Sequence, residues 1–177
     1  VFGMTVQPMW HSTIFGPYFV VGAIFSGIAA LLLVMAALRK VYHLEAYLKP
    51  VHFRNLGTLL LVMSCLWLYV TVAEYLTTFY GHEPHEMLVF WAKFRGPYAM
   101  HFWSMVACCF VIPMIVLTNP WTRGVTGTVV ASSAISVGMW LERYTIVVPS
   151  LVNPRLPFPR GAYHPTWVEG AITAGAF

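Results

Sequence analysis

The sequence predicts an all-α fold, a polytopic transmembrane helical bundle of four spans plus the start of a fifth. Three observations carry that prediction. The 177 residues are 59% hydrophobic and only 9% charged, with a mean hydropathy of +0.71, whereas a soluble domain carries about 25% charged residues. The apolar residues fall into runs of roughly 20 or more, the length needed to cross a bilayer as a helix. The charges collect between those runs, and there is no Asp and only six acidic residues in all. The formal charge of +4 sits in loops without forming a basic stripe. It suits an anionic lipid surface and argues against nucleic acid as a partner. Cys65, Cys108 and Cys109 lie in apolar runs without C-x-x-C spacing. They are expected to be small buried hydrophobes, with no zinc site or iron–sulfur cluster.

Residues 1–177 are read as one membrane domain. The first span, 13–38, is rich in Gly, Ala and Ser between Gly22 and Ala30, the surface on which membrane helices approach closely, and Arg39-Lys40 end it. The loop from Arg39 to Arg54 holds four basic residues, with part of it expected as an interfacial helix closed by Pro50. The second span, 56–80, contains Glu74. His82, Glu83, His85 and Glu86 read as a solvated connector, followed by an aromatic stretch, Leu88 to Phe94, suited to the interface. The third span, 97–117, has His101 near its start and Pro113 near its end; a kink at that proline is tolerated in a membrane. The fourth, 125–148, carries the adjacent pair Glu142-Arg143, and a fifth is expected over 165–177. The chain starts and stops in apolar sequence without a leading Met, and is read as a piece of a longer polytopic protein.

Antiparallel threading then decides where the ionisable groups gather. Spans one and three run one way, two and four the other. Glu74 lies six residues before Tyr80 and Glu142 six before Val148, which places each roughly 9 Å inside its span. His11, His101, Arg143 and Glu169 belong to the same end, with Tyr75, Tyr80, Tyr98 and Tyr144 nearby. The opposite half is almost pure Leu, Val, Ala and Met. Ionisable groups inside a membrane are costly and mark functional positions. A pocket of carboxylates, imidazoles and phenols can bind a polar headgroup and move protons. Because neighbours on a helix diverge in direction, Arg143 can serve Glu74 or Glu169 rather than Glu142. None of the seven His lies at mid-span, which argues against a haem held by two histidines. Five basic residues (Arg39, Lys40, Lys49, Arg54, Arg123) face four (Lys93, Arg95, Arg155, Arg160) across the bundle, too narrow a margin to fix orientation.

Four stretches carry a resemblance. Trp10-His-Ser-Thr-Ile-Phe-Gly-Pro-Tyr-Phe-Val-Val-Gly-Ala-Ile-Phe-Ser-Gly27, Glu74-Tyr75 with the Tyr80-Gly81 loop, Trp140-Leu-Glu-Arg-Tyr-Thr-Ile-Val-Val-Pro149, and Tyr163-His-Pro-Thr-Trp-Val-Glu169 resemble polysulfide-reductase-like (NrfD/PsrC-type) membrane subunits. The nearest likeness is to the ActC-type subunit of alternative complex III, a quinol:electron-acceptor oxidoreductase. The resemblance covers essentially the whole chain. It implies the second half of a protein of eight to ten spans in two four-helix bundles. It also implies a multi-pass subunit of the bacterial cytoplasmic (inner) membrane that interacts with a quinone, menaquinone or ubiquinone, and binds no haem or iron–sulfur cluster in this segment. Implied partners are an iron–sulfur subunit, c-type haem subunits, a second NrfD-like membrane subunit, and lipids. Carried over by position, His11 is the residue placed to touch quinone. Glu74, His101, Glu142 and Arg143, with Tyr80 and Glu169 at the same level, form the expected proton path. The competing reading is a membrane anchor that docks redox subunits without a redox or proton role of its own. A secondary transporter is disfavoured, since no span is broken at mid-membrane by paired Gly and Pro.

Overall fold

In the computed structural model, residues 9–10, 12–119, 121–152 and 166–175 are described. His11, the expected quinone contact, lies outside them, as does the Pro-rich segment from 153 to 165. Four helices are long and apolar enough to cross a membrane: Phe15–Val41, Pro50–Gly81, Ala99–Thr118 and Val125–Val152. The described residues contain helix and no strand. In chain order they form α1 (Phe15–Val41), a short 3-10 turn (Leu44–Ala46), α2 (Pro50–Gly81), α3 (Pro84–Phe94), α4 (Ala99–Val106), a π-helical turn (Ala107–Val111), α5 (Ile112–Thr118), α6 (Val125–Val152) and α7 (Trp167–Gly175). The third span is thus α4, the π turn and α5 end to end.

α1 packs against α2 and α6, and the third span packs against α6 and α2. The backbones of α1 and the third span do not approach each other closely, so the two occupy opposite corners of an antiparallel four-helix bundle. Along α2 the buried positions Phe53, Gly57, Leu60, Ser64, Trp67, Thr71, Glu74 and Thr78 alternate steps of four and three, with Val70 buried beside them. That seven-residue period keeps one seam against neighbours crossing at about 20°. α6 repeats the device with Thr128, Ala131, Ile135, Gly138, Glu142, Thr145 and Pro149. The seams are rich in small and polar residues, while Leu59, Val62, Leu66, Tyr69, Val72, Leu76 and Phe79 of α2 point outward. In lipid the outside is as apolar as any core, so small and polar residues mark the inside.

Several boundaries differ from the sequence reading. α1 runs through Arg39 and Lys40, because cations in a last turn complement the helix dipole rather than end the helix. Pro50 does not close an interfacial helix; it opens α2 at the first position, where its missing N–H costs nothing. α6 continues past Pro149 to Val152, and the Ser150 hydroxyl donates to the Ile146 carbonyl at 2.7 Å. The connector after α2 folds at once into α3, taking in His85 and Glu86, with His82 in the left-handed conformation at the turn (φ 49°). Cys109 is buried and Cys108 half-buried, but Cys65, expected inside, is exposed. It is one step off the α2 seam, next to Ser64.

The third span accommodates Pro113 without a sharp break. Proline has no N–H for the carbonyl four residues back, that of Cys109. The π turn lies over this stretch, and the Ser64 hydroxyl of α2 donates to the Cys109 oxygen at 2.7 Å. Gly138 of α6 lets the π turn come close: a Cβ there would stand 2.5 Å from Cys109 Sγ and 2.9 Å from Cys108 Cβ.

Candidate functional site

Glu142 sits on the α6 seam, 1% exposed, where α1, α2 and α6 meet. Its Oε1 accepts two hydrogen bonds, from the Tyr18 hydroxyl of α1 at 2.6 Å and from Trp67 Nε1 of α2 at 2.5 Å. Three helices therefore converge on one carboxylate oxygen. The other oxygen, Oε2, has no hydrogen-bond partner and faces Arg143 Nη2 at 3.8 Å. This corrects the expectation that Arg143 turns to Glu74 or Glu169. The backbone directions of residues 142 and 143 do diverge, but the guanidinium is long enough to return. It lies over the Phe19 ring, 4.0 Å from its centroid, and remains a third exposed. Gly22 of α1 makes room for this arrangement, since a Cβ at that position would be 3.2 Å from Arg143 Nη2 and 3.4 Å from Glu142 Oε2.

Glu74 is 7% exposed on the α2 seam. The Ser12 hydroxyl, from the segment leading into α1, donates to its Oε2 at 2.6 Å. Beside it lies Lys93 of α3, only 3% exposed. Its ammonium is 3.8 Å from Met9 Sδ and 5.6 Å from the centre of the Tyr75 ring. Burial pushes the Lys93 ammonium down to about 8, against an upward pull from the Glu74 charge. Tyr18, Glu74, Tyr75, Lys93 and Met9 share the wall of a cavity of about 20 Å³, room for a water molecule. Tyr18 thus faces both carboxylates, bonded to Glu142 on one side and lining the Glu74 cavity on the other.

The two glutamates enter from the same end of the bundle and both point inward. They are not level. Glu74 is seven residues from the end of α2 and Glu142 ten from the end of α6, about 10 and 15 Å deep. The bonding follows the same order, since Glu74 accepts from Ser12 before α1 and Glu142 from Tyr18 inside it.

The remaining expected residues are more scattered. His101 of α4 stacks on Tyr144 with ring centres 5.1 Å apart, and its Nδ1 is buried without a partner. Tyr80 is 81% exposed, outside the group. Glu169 lies in the first turn of α7 and accepts the Thr166 N–H at 3.2 Å, as a helix-capping carboxylate does. Among the described residues α7 packs against no other helix. Among them, too, no three His, Cys, Asp or Glu side chains gather in metal-binding geometry.

Sequence reasoning missed Ser12, Tyr18, Trp67 and Lys93. Lys93 was counted with the loop cations because it precedes Arg95 and Gly96, yet α3 folds back and buries it. Tyr18 and Trp67 were legible by spacing: Trp67 is one heptad before Glu74, and Tyr18 begins the buried series Tyr18, Gly22, Phe25, Ala29, Leu32 of α1.

A second feature adjoins the site. On the far side of the Tyr75 ring, α2, α3 and α4 enclose an apolar groove of about 380 Å³, walled by Phe79, Phe90, Phe94, Phe102 and Trp103. The Tyr75 ring meets Phe94 and Phe102 edge-on, at 5.4 and 5.3 Å.

Among known families, the model described as "Polysulphide reductase, NrfD" matches residues 2–154. No curated protein matches the chain.

Proposed function

This chain belongs to the polysulphide reductase NrfD family, whose members are membrane subunits of quinone-interacting redox complexes and partner with iron–sulfur subunits; from that premise we propose that it conducts protons for quinol oxidation in a complex of the alternative complex III type. In this reading the complex lies in a bacterial cytoplasmic membrane. It includes the iron–sulfur subunit, c-type haem subunits and a second NrfD-like membrane subunit.

The observation that carries the reading is the Tyr18 hydroxyl, bonded to one buried carboxylate and facing the cavity of the other. Oxidation of a quinol to a quinone releases two electrons and two protons. The electrons leave to the iron–sulfur partner, and the protons need acceptors within reach. Glu74, with Ser12 and Lys93 at its rim, takes a proton at the outer level. Tyr18 links that level through one water to Glu142, and Arg143 holds the charge at the inner one. His101 and Tyr144 flank the path on α4 and α6. His11, next to Ser12 in sequence, remains the proposed quinone contact. The aromatic groove supports this reading, since its apolar wall and size suit a lipid-soluble molecule, and one tyrosine ring separates it from Glu74 and Lys93.

The test is quinol-driven turnover and proton release by the assembled complex in proteoliposomes. Glu142→Gln and Glu74→Gln are each expected to lower both by tenfold or more, with assembly intact. Unchanged turnover and proton release in both variants would leave the anchor reading standing.

A further inference from the structure

At the opposite end of the bundle, α1 and α6 diverge around a groove of about 670 Å³. Its floor is apolar and made of small or branched residues: Ala36 and Ala37 of α1 face Val129 and Val130 of α6. Arg39 and Lys40, in the last turn of α1, stand at its mouth. Neither cation has an ion pair among the described residues. Arg39 Nε is buried and without a hydrogen-bond partner, although its guanidinium carbon lies 5.9 Å from the centre of the Phe53 ring. The N-terminus of α6, a helix of 28 residues, opens onto the same mouth at Val125 and Thr126 with no acidic residue in its first turn. Its dipole adds positive potential there, and Arg39 and Lys40 offset the opposite dipole end of α1. Among the described residues lining the groove, Glu45 at the rim is the one anion.

We infer that this groove is a binding site for a single anionic phospholipid. Its phosphodiester lies against Arg39, Lys40 and the start of α6, and an acyl chain lies along Ala36, Ala37, Val129 and Val130. The chemistry divides along the groove as it does along a phospholipid. An ion-pairing head needs two cations at the headgroup depth, and these cations end a span. An apolar tail needs a cleft in a lipid-facing surface, which the two alanines open between bulkier neighbours. A soluble phosphate would use only the mouth and leave the cleft unfilled. A zwitterionic lipid offers the same phosphodiester but brings its own cation, so its net attraction to Arg39 and Lys40 is weaker.

The experiment uses the intact complex in membranes containing phosphatidylglycerol or phosphatidylcholine with a photoactivatable group on one acyl chain. Cross-linked peptides are mapped by mass spectrometry. Phosphatidylglycerol is expected to label 33–37 and 125–130, and phosphatidylcholine at equal content to label them at least tenfold less. Arg39→Gln with Lys40→Gln should lower the labelling about 30-fold, from roughly a fivefold contribution per cation at a membrane surface. Ala37→Trp, which keeps both cations but fills the cleft, should abolish it. Lys49→Gln, the loss of an exposed charge at the same end, should leave it unchanged, and retained quinol turnover in each variant reports an intact fold. Equal labelling by the two lipids, labelling that survives the double substitution, displacement by millimolar glycerol phosphate, or cross-links from another subunit covering the groove would each overturn the assignment.

Discussion

The two buried carboxylates make an instructive pair. Glu142 is held by donors from two other membrane helices, both rigid aromatic side chains on buried seams. Glu74 is held by a serine on the segment before α1 and faces a lysine on the short helix α3. The first carboxylate is fixed by the bundle itself, the second by the pieces draped over its end. The difference teaches that depth and rigidity run together here. The inner group is held by donors on two membrane helices, while the outer group is held by a segment outside the spans.

The largest expected effect tests that rigidity. Glu142→Ala removes the acceptor of two buried donors, Tyr18 Oη and Trp67 Nε1, each of which then costs about 1–3 kcal/mol unpaired. A loss of about 2–6 kcal/mol is expected in a denaturing-detergent titration, against about 1–2 kcal/mol for Glu142→Gln, which keeps an acceptor. Equal losses would mean that the site is not held by that oxygen.

Gly22→Leu comes next. The new side chain must displace Met139, Arg143 and Glu142, whose atoms stand 3.1–3.4 Å from a Cβ at this position. Overpacking of this kind costs about 1–3 kcal/mol. If Glu142 drives turnover through a fixed geometry, activity should fall more steeply than stability.

At the outer site, Ser12→Ala should cost about 1 kcal/mol, the usual net value of one hydrogen bond. Its clearer signature is a shifted pH profile of turnover with little change in assembly. An unaltered profile would detach Ser12 from Glu74 in function.

Lys93 supplies the pH dependence. Its folded value of about 8 lies below the ordinary lysine value of 10.5, so between these two the unfolded chain binds more protons and stability rises with pH. The cost of burying the charged amine is fully present below about 8 and is relieved as pH climbs toward 10.5. Thermal midpoints of the wild type relative to Lys93→Met should therefore converge between pH 7 and pH 10, and a constant gap would show that the amine is not buried. Tyr80→Phe, at an 81% exposed position, should change neither stability nor turnover by more than a few tenths of a kcal/mol.

Much of this was legible in the sequence, and for a definable reason. Run length alone delimits the four spans, because a membrane helix must be apolar for about 20 residues. Alternating direction then puts Glu74 and Glu142 at one end. What run length cannot give is the inward face, since both faces of a lipid-embedded helix are apolar. That is why run length does not single out Trp67, although it stands on the Glu74 seam. The boundaries differ where charge or proline is read as a stop. Arg39 and Lys40 stabilise a C-terminus, Pro50 begins a helix, and α6 runs on through Pro149. Lys93 was hidden by tertiary structure, because only the fold-back of α3 buries it.

The irregular turn of the third span has a further bearing. Pro113 deprives one helix of a donor, and Ser64 of another helix supplies it. A local defect is thereby converted into an adhesive joining two membrane-crossing rods. Replacing the proline with alanine would mend one rod, yet strip the serine of its customer and loosen the grip between the pair.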